Sequence, residues 1–88
     1  MADQITYYAI VDDLSSRERP AGVLRRVYFE VGGRRDEAFS QDLVWERTAM
    51  LVSAERGDLQ NDFIEITEEE ANQIVARIRA EVAAAKST

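Results

Sequence analysis

Arginine is the residue type with the most chemistry to offer in this 88-residue chain, and it is concentrated in one stretch. Between residues 17 and 35, Arg17, Arg19, Arg25, Arg26, Arg34 and Arg35 stand against only Glu18 and Glu30, a local balance of +4. Arg25 and Arg26 precede Gly32-Gly33, Arg34 and Arg35 follow it, and Tyr28 and Phe29 lie among them. Guanidinium groups interleaved with aromatic rings suit bidentate pairing with a carboxylate or phosphate, and stacking on a base. The stretch therefore has two candidate uses: recognition of an acidic protein surface, or binding of nucleic acid by an Arg-rich hairpin. The net charge of −6, and the acids Glu30, Asp36 and Glu37 within the same hairpin, weigh against a polyanion. Trp45, the only tryptophan, is either a core anchor or an interface hot spot. Arg25, Arg26, Arg34, Arg35, Tyr28 and Trp45 are thus the candidate partner-binding residues. Residues 36–88 have the opposite character, with twelve acids against five cations, which would also suit an inhibitor that mimics nucleic acid.

Catalytic and metal chemistry find little to work with. The chain has no His and no Cys, which removes imidazole and thiolate nucleophiles, disulfides, and zinc, iron or copper sites built from those ligands. Ser15, Ser16, Ser40 and Ser53 have no imidazole to activate them, and the one lysine, Lys86, sits in the tail. Asp12-Asp13 and Asp36-Glu37 are adjacent acids that an extended backbone sends to opposite faces, a poor geometry for paired acid and base. Asp58, Asn61, Asp62 and Glu65 offer oxygen ligands but match no EF-hand spacing. Gly32-Gly33 belongs to no phosphate-binding glycine motif. Arg56-Gly57-Asp58 spells an adhesion tripeptide, better explained by a helix-ending glycine. The expectation is a protein that is not an enzyme and holds neither cofactor nor metal.

The elements that must position these residues follow from pattern. Residues 5–12, rich in Ile, Val and Tyr on both alternating faces, predict a strand central in a sheet. Residues 13–22 gather Ser, Gly and the only Pro into a loop. Residues 23–31 predict a second strand, and Gly32-Gly33 a tight turn into a third over residues 34–39. A two-residue loop would pair Glu30 with Arg35, and a three-residue loop Val27 with Phe39. The chain is apolar again at residues 43–45, and Thr48 can cap a short helix ending at Gly57, with a strand as the competing reading. Residues 63–66 predict a short strand. Thr67-Glu68-Glu69-Glu70 is a capping box, and Ala71, Ile74, Val75, Ile78 and Val82 form one apolar stripe of a helix over residues 67–84, with residues 83–88 fraying.

Length and composition, 45% hydrophobic and 32% charged, fit one α+β domain: an antiparallel meander of three to four strands covered on one face by a C-terminal α-helix, plus a short helix. Such a layout leaves Tyr8, Ile10, Leu24 and Tyr28 on an uncovered face, which predicts self-association, most simply as a homodimer. No apolar run is long enough to cross a bilayer and the start lacks the character of a signal peptide, so the expected location is cytoplasmic, without membrane contact. Tyr7-Tyr8-Ala9, Trp45-Glu46, Glu55-Arg56-Gly57-Asp58 and the run from Phe63 to Ala71 together resemble a pattern in small, uncharacterised acidic proteins of actinobacteria. The resemblance implies a bacterial single-domain protein and carries no activity onto any residue. The expected function is a non-catalytic protein-interaction, regulatory or accessory module.

Overall fold

The computed structural model describes residues 4–39, 42–57 and 62–86. Ser40, Asp58 and Asn61, named above for their side chains, lie outside them. The described chain forms β1 (Gln4–Val11), β2 (Gly22–Tyr28), β3 (Arg34–Phe39), β4 (Trp45–Arg47), α1 (Met50–Glu55), β5 (Asp62–Ile66) and α2 (Glu68–Lys86). The five strands make one open antiparallel sheet in the order β4-β3-β2-β1-β5. This is the expected α+β class, with β4 as a strand beyond the predicted meander and β5 on its far side. The short helix at residues 50–55 decides between the two readings of that segment in favour of helix.

The order explains the second layer. β4 and β5 lie at opposite edges yet run in the same direction, because four antiparallel steps, an even number, separate them. The chain must therefore cross the whole sheet between them, and it does so through α1. α1 sets Leu51, 6% exposed, against Ile10 and Leu24, with Tyr8, Ala38, Met50 and Phe63 packed around them. The face expected to stand open is thus occupied over its centre. The N-cap is Ala49, which makes no side-chain cap, rather than the expected Thr48; Thr48, one residue earlier, accepts the amide of Met50 at 3.2 Å, and the chain leaves the helix through Gly57 at φ 80°.

On the other face α2 buries Ala71, Ile74 and Ile78 against Ala9, Val23 and Phe39. Its start is the capping box read from sequence: the Glu70 amide donates to the Thr67 hydroxyl at 3.1 Å, and the Thr67 amide donates to the Glu70 carboxylate at 3.2 Å. Its end runs past residue 83, where fraying was expected, to Lys86. Alanine is the best helix former, and a cation in the last turn opposes the negative end of the macrodipole, so the alanine run extends the helix.

The β2–β3 connection corrects both predicted registers. Tyr28 pairs with Arg34 and Val27 with Arg35, leaving residues 29–33 as a five-residue loop closed by Phe29 and Gly33, with Gly32 and Gly33 at φ 105° and 87°. Charge explains the choice. This register alone among the three sets Arg25 opposite Glu37 and Arg26 opposite Asp36, and opposite charges directly across a ladder stabilise it. It also moves Val31 out of β2 to the loop tip, 97% exposed.

Candidate interaction surface

Arg25 and Arg26 are consecutive in a strand and project to opposite faces. On the α1 face Arg26, 6% exposed, donates from Nε and Nη2 to the two carboxylate oxygens of Asp36 at 2.7 and 3.0 Å, and from Nη1 to Glu55 at 2.8 Å. The bonds to Asp36 raise the Arg26 pKa further above its already high value, outweighing the opposing effect of burial, with added support from Glu55. Glu55 ends α1, where a carboxylate faces the negative end of the helix, and Arg26 supplies the compensating charge. Arg34 reaches the same Glu55 at 4.0 Å. Tyr28 lies on this face opposite Gln4 and Arg34.

On the α2 face Arg25 donates to Glu37 at 2.8 Å while its guanidinium lies 4.2 Å from the Trp45 ring centre. Trp45 is half-buried, edge-on to Phe39 at 5.4 Å and tilted against Tyr7 at 6.4 Å. Arg35 stands 3.3 Å from the second oxygen of Glu37 and over the Phe29 ring at 5.3 Å. Glu37 is thus shared by two arginines.

The six candidate residues are therefore divided between the two faces of the sheet rather than gathered in one patch, with Arg34, Arg35 and Tyr28 still partly exposed. Arg25 and Trp45 meet on the α2 face, Arg26, Arg34 and Tyr28 lie on the other, and Arg35 belongs with Glu37 on the first. The expectation of a basic surface built by all four hairpin arginines is corrected at Arg25 and Arg26, whose guanidinium groups are held by Glu37 and Asp36 of the neighbouring strand β3. Asp36 and Glu37, first counted as acids that weaken the patch, are its internal partners.

Sequence reasoning missed where the unpaired backbone lies. β5 ends the sheet, and among the described residues no strand lies on its outer side. Its pairing with β1 stops at Tyr7–Ile66, so the first three residues of β1, Gln4 to Thr6, extend past it. A groove of about 560 Å³ opens there, lined among others by Ile5, Tyr7, Ile66, Glu65 and Glu68. From residue 62 to 70 the chain carries Asp62, Glu65, Glu68, Glu69 and Glu70 and no cation, a run legible in the sequence, although its position on a sheet edge is not.

Among the described residues, no group of three or more His, Cys, Asp or Glu is arranged to hold a metal ion, and no helix is long and apolar enough to cross a membrane. No known protein family, curated protein or solved structure matches the chain. The resemblance to small actinobacterial proteins accordingly assigns no role to any residue above.

Proposed function

We propose that this protein is a non-catalytic module that binds another protein through the edge of its sheet. The observation that carries the reading is the distribution of what is already used. α2 covers one face and α1 the centre of the other, the hairpin arginines face Glu37, Asp36 and Glu55, and among the described residues β5, at five residues the longer of the two edge strands, has no strand on its outer side. A strand edge with unpaired N–H and C=O groups is a template for an incoming strand, with affinity from main-chain hydrogen bonds and selectivity from side chains. Nucleic-acid binding through the hairpin draws less support, since Arg25 and Arg26 are paired with buried carboxylates and would have to give up those partners to reach phosphate.

The test is zero-length coupling of carboxylates to amines in the native cell, followed by mass spectrometry of the purified chain. The reading expects a discrete protein joined through residues 62–70. Recovery of nucleic acid bound to the chain, lost on raising salt, would overturn it in favour of the hairpin alternative.

A further inference from the structure

The acids on the free edge specify what kind of strand it takes. Helix chemistry accounts for Glu70, which closes the capping box, and for Glu68 and Glu69, which oppose the positive end of α2. It does not account for Asp62 and Glu65, which are on β5 itself, in a structure type where Asp and Glu are depleted. Acids on an edge strand hinder pairing with a like strand. Two copies of β5 side by side would bring four strand carboxylates together, beside the acidic starts of two α2 helices, so a second copy is a poor occupant. A cationic strand meets the opposite condition.

Resting on the interaction reading above, we propose that the outer side of β5 receives an extended segment of a partner protein carrying two cationic residues three positions apart with two apolar residues between them. The spacing follows from the ladder. A strand laid against β5 meets Asp62, Phe63, Ile64, Glu65 and Ile66 in turn, so opposite charge falls across Asp62 and Glu65 and apolar side chains across Phe63 and Ile64. The ladder ends at Ile66, and the groove beyond it, lined by Ile5, which is 44% exposed, and Tyr7, lies one strand inward, in line with β5. Glu65 and Glu68 line the rim there. Main-chain pairing holds the segment, and the carboxylates select its charge.

The experiment uses the full chain, isotope-labelled, titrated with a capped peptide containing Arg-Val-Val-Arg, with amide hydrogen exchange followed residue by residue. The expected result is saturable binding that slows exchange within residues 62–66. A Glu-Val-Val-Glu peptide should not bind, and the neutral variant Asp62→Asn/Glu65→Gln, with its melting midpoint retained, should bind about tenfold more weakly at low salt. Absence of binding, equal binding of the acidic peptide, or unchanged affinity in the neutral variant would overturn the charge-selected dock. So would protection confined to β4, or β5 protection that grows with protein concentration without peptide. Any of these leaves the cross-linking result standing, so the failure of this inference is separable from failure of the interaction reading.

Discussion

Arg26 shows what a single residue does in a small core. Its charge is almost wholly out of water, and the cost is offset by three hydrogen bonds to Asp36 and Glu55. Replacing Arg26 by Met strands the Asp36 carboxylate in the same low-dielectric space, so Arg26→Met should destabilise the fold by about 3–5 kcal/mol, read as a shift in the urea midpoint. The double change Arg26→Met/Asp36→Leu should recover most of that loss, because no buried charge is left unpaired. Tyr8, on the same face, carries a second electrostatic signature. Burial, with help from Tyr28 and against the pull of Arg26, raises its phenol pKa above the ordinary value near 10. In the unfolded chain the phenol ionises first, so its contribution is fully present below pH of about 10 and is lost as pH rises from there through the folded pKa. Thermal melts above that pH should accordingly fall less steeply for Tyr8→Phe than for the parent chain.

At the scale of elements, the two helices are held by different means. α2 has a capping box and a three-residue buried stripe, and Thr67→Ala should cost about 1 kcal/mol in a denaturant titration through loss of the cap. α1 has six residues, too few to be stable alone, and buries only Leu51. Leu51→Ala should cost about 2–4 kcal/mol and expose Ile10 and Leu24, seen as increased binding of an apolar dye with the α2 side of the sheet intact. Both helices gain from ties made outside themselves: Glu55 joins α1 to β2, and Arg77 of α2 donates to the Pro20 carbonyl in the β1–β2 loop.

For the whole molecule, the consequence of α1 lying across the sheet is that the apolar face once expected to drive self-association is occupied. Among the described residues the sheet keeps two open edges, the three-residue β4 and the longer β5, and the β5 edge is acidic and repels its own copy. Sedimentation at tens of micromolar should therefore give a monomer at low salt. A dimer under those conditions would mean that copies meet through a surface other than the β5 edge.

The sequence by itself determined the local structure. The β-branched and aromatic alternation of residues 5–12, the chain reversal at Gly32-Gly33 though not the length of its loop, the Thr67–Glu70 box and the stripe from Ala71 to Val82 each rest on interactions among near neighbours, which spacing alone encodes. The same is true of the absence of imidazole and thiol chemistry, and of the acidic run from Asp62 to Glu70. What only the tertiary structure decided is which strands became neighbours. A hairpin register is a choice among nearly equal backbone ladders, and here it was settled by the cross-strand pairs Arg25–Glu37 and Arg26–Asp36, which turned a presumed surface patch into internal ion pairs. Strand order is likewise a long-range matter: once β5 joined β1 at the far edge from β4, the connecting chain had to traverse the sheet. That crossing closed one face with α1, and it left the acidic strand at the edge, where its backbone is free to pair.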